Sequence, residues 1–320
     1  MNQVAVVTGA FGYSGREIAR RLLERGVRVR TLTNHPTREH EFGRSIEVHP
    51  YDFDHPDALV RSLEGASALY NTYWVRFPRG PISFERAVEN TTRLFDAARM
   101  AGVNRVIHMS ISNPFSAPDL PYFQGKAALE GALATSSLSY AIVRPTVMFG
   151  KSDVFINNIA WLLRRFPFFP IPGDGRYRLQ PVHVGDVADL CVMAAESAND
   201  LTVDAAGPET FTFEELVRTI SRVIGRRRMV FPHVSPFVAH GLAAVVGRSV
   251  GDVVLTTGEL RGLMAELIVS REHSRCPTSL SEWLARHAND VGLHYTSELS
   301  RNYRPRGSVR REARRIGSSL

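Results

Sequence analysis

Short apolar runs rich in β-branched residues alternate with longer segments of helical periodicity through the first half of the chain. The apolar runs predict strands over residues 4–8, 27–33, 46–49, 68–72, 106–110 and 140–144. The periodic segments between them predict helices over residues 14–24, 56–63, 84–100 and 123–134. Alternation at this pitch favours right-handed β-α-β crossovers. The prediction is therefore an α/β fold, a doubly wound parallel sheet with helices on both faces.

The pattern becomes less regular after residue 150. Helices are predicted over 156–166, 187–196 and 213–224, the last with Thr212 as N-cap and Glu215 three residues on. A Pro- and Gly-rich loop covers 170–175, and residues 233–300 look mostly helical. The apolar run 234–247 is interpreted as a buried helix, because it is shorter than the roughly 18–20 residues that cross a bilayer.

These patterns predict three parts of the chain. Residues 1–232 form a Rossmann domain with substrate-side elements from about residue 151, and residues 233–303 form a smaller helical region on the substrate side. Residues 304–320 form a basic tail, which we expect to be disordered because it has little to bury.

Charge and cysteine content limit the choice of partners. The net charge is +7, but seven arginines and one acid lie in residues 301–320, which leaves about +1 for the rest of the chain. A nearly neutral body makes nucleic acid an unlikely partner. The two cysteines are far apart in the sequence, and neither a secretion signal nor a membrane-spanning run is recognised. We expect a cytoplasmic protein without a membrane partner; a homo-oligomer is possible.

The strongest motif is a glycine loop between the first strand and the first helix. Gly9, Gly12 and Gly15 fall on every third residue, with Phe11 and Tyr13 between them. Glycines here permit a tight turn and let the backbone approach a diphosphate at the helix N-terminus. The loop therefore predicts binding of a pyridine dinucleotide.

The end of the second strand bears on the choice of dinucleotide. An acidic residue there would accept hydrogen bonds from the adenosine ribose and favour NAD. Thr33 and Asn34 stand at this place instead, and Arg16 and Arg38 are available to pair with a 2′-phosphate. NADP(H) is therefore favoured and NAD(H) is possible, unless both arginines are ordinary surface residues.

A candidate acid/base pair follows the fifth strand. Tyr122 and Lys126 stand at i and i+4, on one face of a predicted helix. A lysine ammonium near a phenol lowers its pKa towards the range of a working acid/base. Ser110 and Ser112 are both candidates to polarise a substrate carbonyl. Ile111 between them is the alternative residue at the position where the catalytic serine is expected. The surface-helix alternative for the pair remains open, and no metal site is predicted.

In its motifs the sequence resembles the short-chain dehydrogenase/reductase superfamily, on its extended and atypical side. The shared motifs are Thr8-Gly9-x-x-Gly12-x-x-Gly15, Asp52-Phe53, Asn90, Tyr122-x-x-x-Lys126, Arg144 to Gly150, and Val182 to Ala188 with His183 and Asp186. The resemblance implies that Asp52 and Phe53 flank the adenine and that Asn71 and Thr72 lie along the dinucleotide. It also implies that Pro145, Thr146 and Met148 border the nicotinamide and that Lys126 holds its ribose.

Two hypotheses about activity follow from this resemblance. The first is an NAD(P)-dependent oxidoreductase, or an epimerase/dehydratase-like enzyme, which moves hydride between nicotinamide and an oxygen-bearing carbon of a small molecule. The alternative is a non-catalytic redox sensor or assembly subunit, because the sequence resembles NmrA-like and complex-I-subunit-like members, some of which bind NADPH without turnover. Tyr122 follows Ser110 much sooner than in active extended enzymes, which favours the alternative.

An aromatic segment after the fourth strand is a candidate substrate pocket. Residues 73–79 combine aromatic and basic side chains, and Phe149, Phe155 and Trp161 are further apolar candidates. Such a set predicts either an apolar pocket with a cationic edge or ordinary packing between the sheet and the C-terminal part.

Overall fold

A computed structural model describes residues 3–226 and 230–303. Its strands are β1 Val4–Thr8, β2 Arg28–Thr33, β3 Ile46–Pro50, β4 Ala68–Asn71, β5 Arg105–Met109, β6 Tyr140–Pro145, β7 Val147–Phe149, β8 Ile171–Pro172, β9 Arg178–Leu179, β10 Pro181–His183, β11 Leu201–Ala205, β12 Phe211–Thr212 and β13 His233–Val234. Its α-helices are α1 Tyr13–Glu24, α2 Pro56–Leu63, α3 Phe84–Met100, α4 Pro121–Ala134, α5 Ile156–Arg165, α6 Val184–Ala195, α7 Phe213–Val223, α8 Pro236–Val250, α9 Thr257–Met264 and α10 Leu280–Arg286. A 3-10 turn covers Pro114–Ser116 and a π-helical turn covers Leu299–Tyr303.

The main sheet has seven strands in the order β3-β2-β1-β4-β5-β6-β11. Every pairing in this sheet is parallel. The strand order reverses between β1 and β4, and at such a point a crevice opens outside the carboxyl ends of the strands. The predicted doubly wound Rossmann fold is therefore confirmed.

The sheet is buried on both faces because its residues alternate between two cores. Val7 and Val143 belong to the core that packs against α1 and α6. Val6 and Ile142, one position earlier on each strand, belong to the core under α2, α3 and α4. Apolar side chains at successive positions are what a strand covered by helices on both sides requires.

The chain beyond β6 builds a third core beside the carboxyl edge of the sheet. α5, α7 and α10 surround it, and its buried residues include Phe149, Leu163, Phe213 and Trp283. Helix α7 begins as predicted, since the Thr212 side chain accepts from Glu215 N and the Glu215 carboxylate accepts from Thr212 N.

Three sequence-based expectations need correction. The seventh strand, β11, was not predicted. Residues 233–300 hold three helices separated by long irregular segments, and so are less helical than expected. The interpretation of 234–247 as a buried helix is wrong, because α8 forms there but leaves Phe237 87% and Val245 61% exposed. The predicted tail, 304–320, lies outside the described residues.

Candidate functional site

The glycine loop forms a tight cradle at the carboxyl end of β1. Gly9 has a φ of +65°, which favours glycine, and Gly12 N donates to Gly9 O at 2.7 Å. A Cβ atom at Gly15 would stand 2.3 Å from Gly9 O, so no side chain fits between the loop and α1. The backbone therefore lies open where a ligand's phosphates approach.

The N-terminus of α1 suits an anionic ligand. Its N-cap is Gly12, which supplies no side-chain hydrogen bond, and the first turn holds no acidic residue. The first N–H groups of the helix and its positive dipole end are thus available to a diphosphate. Two buried polar atoms nearby, Tyr13 Oη and Arg16 Nε, also have no hydrogen-bond partner among the described residues. The residues present fit a dinucleotide.

A single cavity of about 1020 Å³ extends from this cradle to α8 and α9. Eleven of the predicted cofactor residues line it: Gly9, Phe11, Gly12, Tyr13, Gly15, Thr33, Asn34, Arg38, Thr72, Thr146 and Met148. Their roles towards a cofactor stay predictions, but the fold brings them to one wall.

Five further predicted cofactor residues do not line this cavity: Asp52, Phe53, Asn71, Lys126 and Pro145. Asn71 is buried, where its Oδ1 accepts from Thr8 Oγ1 at 3.2 Å and its Nδ2 lies 3.0 Å from His108 Nδ1. Its amide therefore ties β1, β4 and β5 together and lies behind the cavity wall. The Asp52 carboxylate lies 2.7 Å from the His55 ring at the surface.

Of the two arginines predicted to bind a 2′-phosphate, one lines the cavity and the other does not. Arg38 lines the cavity, and its Nη1 donates to Arg301 O at 3.2 Å. Thr33 Oγ1 accepts from His35 N at 3.0 Å, which shapes the turn after β2. Arg16 does not line the cavity and lies 3.9 Å from Glu17. Arg38 is thus the better placed of the two arginines.

Tyr122 lines the cavity on α4. Its ring meets Trp74 and Phe84 edge-on, at 5.6 and 5.8 Å between centroids. Burial, with the Glu259 carboxylate nearby, raises the pKa of Tyr122 above its ordinary value. The phenol is therefore protonated at neutral pH, which is the form that donates a proton.

Lys126 is buried beneath the cavity wall. Its Nζ donates to Met109 O at 2.8 Å and lies 4.5 Å from the centroid of the Trp74 ring. Burial lowers the pKa of Lys126 to about 7. Lys126 and Tyr122 thus both contact Trp74, and their cooperation as an acid/base pair stays a prediction.

The two candidate serines lie outside the cavity, and the residue between them lines it. Ser112 Oγ donates to Leu267 O at 2.8 Å, and Ser110 Oγ is buried without a partner among the described residues. Ile111 lines the cavity instead. Successive side chains of an extended segment point to opposite sides. Ser110 and Ser112 therefore point into the protein interior, while Ile111 between them points into the cavity.

The aromatic segment after β4 lines the substrate side of the cavity, from Tyr73 to Pro78. Phe155 joins it, whereas Phe149 is fully buried in the third core and Trp161 packs on Tyr295. Arg76, the cation of this segment, forms an ion pair with Glu259 at 2.5 Å. The pocket and the packing interpretations thus each account for part of the set.

Sequence reasoning missed the cover of the site, which comes from residues 298–303. The Arg301 guanidinium lies 5.4 Å from the centroid of the Tyr13 ring and donates to Ser152 O. Tyr303 stacks on Phe77 at 4.9 Å and donates to Phe77 O. The segment has no strong apolar period in the sequence, so no signal pointed to it.

His183 and Asp186 have structural roles among the described residues. The His183 ring accepts from Gly185 N as N-cap of α6, and the Asp186 carboxylate accepts from the backbone and hydroxyl of Thr278. His183 therefore caps α6, and Asp186 joins the first turn of α6 to Thr278.

The doubly wound sheet and the glycine cradle define a dinucleotide-binding protein of the Rossmann type. Comparison with known families identifies it further, because the NAD dependent epimerase/dehydratase family model matches residues 5–205. The chain belongs to that family, and the sequence-based resemblance is confirmed.

Two curated relatives and one solved structure place the chain more finely. It is 28% identical over 232 residues to NADH dehydrogenase (ubiquinone) 1 alpha subcomplex subunit 9 of Arabidopsis thaliana, over 69% of this chain but only 58% of that mitochondrial protein. It is 28% identical to the ceramide reductase of Caulobacter vibrioides, over 70% of this chain and 71% of that one. The triphenylmethane reductase of Citrobacter sp., solved with NADP(H), shares the fold with a TM-score of 0.64, 21% identity, and coverage of 89% and 99%.

No helix among the described residues combines the length and the apolar character needed to cross a membrane. No group of three or more histidine, cysteine, aspartate or glutamate side chains within residues 3–226 and 230–303 is placed to hold a metal ion.

Proposed function

We propose that this protein is an NAD(P)-dependent oxidoreductase that reduces a carbonyl group on a long apolar molecule. The observation that carries the proposal is the single cavity that joins the glycine cradle, Tyr122 and the apolar side of α8. A cofactor in the cradle and a substrate against α8 would meet beside Tyr122.

The chain's own residues would hold the dinucleotide. The backbone from Gly9 to Gly15 and the N-terminus of α1 would bind the diphosphate, and Thr72, Thr146 and Met148 would border the rest of the molecule. When bound, the reduced cofactor supplies a hydride to the carbonyl carbon. The protein's part is to orient that carbon and to exclude water.

Tyr122 would supply the proton. Its protonated hydroxyl donates to the carbonyl oxygen as the carbon accepts the hydride, so the product is an alcohol and the residue is left as a phenolate that regains its proton from solvent. The raised pKa keeps Tyr122 protonated at neutral pH, which is the form that the reductive direction requires.

The shape and chemistry of the cavity favour an apolar substrate over a sugar nucleotide. Trp74, Phe155 and Leu242 are among the residues that form its substrate side. Arg76 is the cation there, and its charge is already matched by Glu259. A second diphosphate would find no unpaired cation on this wall within the described residues. The similarity to a ceramide reductase supports the same choice.

We expect catalytic efficiency to rise with the alkyl chain of the substrate. Each methylene that enters an apolar cavity contributes about 0.8 kcal/mol, so kcat/KM should rise about fourfold per methylene from butanal to decanal. NADPH oxidation measured by absorbance at saturating cofactor checks this, with a cofactor-only reaction as control. Flat efficiency across the series would contradict an apolar substrate site.

We expect Arg38 to set the preference for NADPH. Arg38→Ala should weaken NADPH binding about tenfold or more and leave NADH binding nearly unchanged, because one charge-assisted contact contributes about 1.5–3 kcal/mol. Isothermal titration with both cofactors measures it, and Arg99→Ala is the matched control, because that exposed side chain at the end of α3 lies outside the cavity. Equal losses for both cofactors would show that Arg38 does not read the 2′-phosphate.

A non-catalytic role in an assembly is the second candidate, favoured by the positions of Lys126, Ser110 and Ser112 outside the cavity. The Arabidopsis relative, whose name makes it a subunit of a larger complex, supports it too. This candidate retains NADPH binding but gives no turnover with any aldehyde of the series.

A further inference from the structure

An apolar surface surrounds the outer end of the cavity. We call it the α8 face and define it by seven exposed side chains: Phe166, Phe168, Val230, Phe237, Val238, Leu242 and Val245. They make up most of the exposed large apolar side chains of the described residues, and they come from two stretches of sequence that the fold brings together. Single exposed apolar residues are ordinary, but a cluster of this kind marks an interaction surface.

The α8 face is continuous with the cavity wall. Phe166, Phe168, Leu242 and Val245 belong to both, and Ala239 on the inner side of α8 also lines the cavity. A molecule that covers the face therefore also covers the cavity's outer end. The molecule that covers the face and the substrate in the cavity must therefore both be apolar.

The charge of the sequence that contains α8 indicates the occupant. From residue 216 to residue 251 the sequence holds six arginines and no aspartate or glutamate, and of the described ones Arg218 pairs with Glu214. Arg164 and Arg226 donate to backbone carbonyls, and Arg165 lies over the Trp161 ring at 4.1 Å. None of these three, nor Arg248, forms an ion pair with a carboxylate in the described structure. Their positive charge is uncompensated.

An apolar helix face beside uncompensated arginines has the composition of a segment that lies in the headgroup region of an anionic bilayer. Helix α8 has 15 residues, about 22 Å of length, and lies on a surface more readily than it spans one. A second copy of the chain is a poorer occupant, because a two-fold contact through this face would bring like charges together.

We propose that the α8 face docks on an anionic lipid bilayer and that the cavity receives its substrate from that bilayer. The second half of this inference rests on the proposed function, and the first half stands without it. The proposal departs from the sequence-based expectation of no membrane partner, because it places the face on a membrane surface without crossing it.

The test is co-sedimentation of the full chain with vesicles of phosphatidylcholine alone or with phosphatidylglycerol added. We expect binding that is stronger with the anionic lipid and falls at least tenfold in Phe237→Asp/Val238→Asp, which changes two exposed residues of the face that do not line the cavity. The matched control is Met100→Asp/Met193→Asp, which makes the same change at two exposed apolar residues on α3 and α6. Arg165→Gln/Arg248→Gln should lower the anionic component by about fivefold per arginine.

Both aspartate variants keep the arginine-rich residues 304–320, so a contribution of that segment is common to all samples. Equal vesicle binding by the face variant and the control would overturn the proposal. So would the absence of vesicle binding in the wild type, or self-association that the face variant abolishes without any effect on vesicles. Circular dichroism and NADPH titration confirm that each variant is folded.

Failure of docking and failure of the proposed function are separable. Vesicle binding is measured without turnover, and reduction of a short soluble aldehyde is measured without vesicles. The proposal expects Phe237→Asp/Val238→Asp to retain the second activity while losing the first, because neither side chain lines the cavity.

Discussion

Replacing Tyr122 with phenylalanine is expected to lower kcat for aldehyde reduction about 10²–10⁴-fold, the usual contribution of a positioned proton donor. The ring contacts with Trp74 and Phe84 persist, because phenylalanine keeps the same six-membered ring. The dissociation constant for NADPH should stay unchanged. Steady-state kinetics and isothermal titration on the same preparations measure the two effects separately.

Tyr140→Phe is the matched control, since it removes a phenol from the start of β6 away from the cavity. The pH profile adds a further check. Because the pKa of Tyr122 is raised, ionisation of this phenol should not reduce the rate between pH 6 and 9. Turnover that survives Tyr122→Phe would show that another group donates the proton, and no turnover in the wild type would favour the assembly role.

Gly12→Val is expected to weaken NADPH binding at least a hundredfold. A Cβ atom at this position would already stand 3.0 Å from Gly9 O, and the two methyl groups beyond it would occupy the space in front of the α1 N-terminus. Both the close approach of a diphosphate and its hydrogen bonds to the helix would be lost. Isothermal titration measures the affinity.

Gly131→Ala provides the control for this substitution, because it adds a Cβ to a helical glycine with open space around it. Its affinity for NADPH should equal that of the wild type. A Gly12→Val protein that is folded by circular dichroism and still binds NADPH tightly would place the cofactor elsewhere.

The doubly wound sheet could be predicted from sequence because its signals are local. Strand β1 is a run, Val4 to Thr8, that is buried on both faces, and β1, β3, β4 and β5 are each followed by a helical period. The glycine loop could be predicted for the same reason, because Gly9, Gly12 and Gly15 are near one another in the sequence and form one loop.

Elements that depend on distant partners could not be predicted in this way. β11 is the short segment Leu201–Ala205, whose strand character comes from its parallel pairing with β6. The apolar period of α8 correctly indicated a helix, but periodicity does not show whether a neighbour covers the apolar side. Phe237 consequently faces outward where burial was expected.

The site also shows this difference between local sequence signals and contacts that depend on the tertiary structure. Polar side chains at strand ends look alike in sequence whether they face a ligand or satisfy the interior of the sheet. Asn71 and Ser112 bind His108 and Leu267 O, respectively, and Lys126 binds Met109 O. Only the tertiary structure shows that Ile111 takes the position facing the cavity.

The cradle and the cover of the site come from opposite ends of the described chain. Arg38 and Arg301 are 263 residues apart in sequence, and Phe77 and Tyr303 are 226 apart. During synthesis the ribosome completes the cradle long before the cover. A chain released before residue 298 therefore has the whole doubly wound sheet but an uncovered cradle, so a closed site exists only in molecules whose translation has passed residue 303.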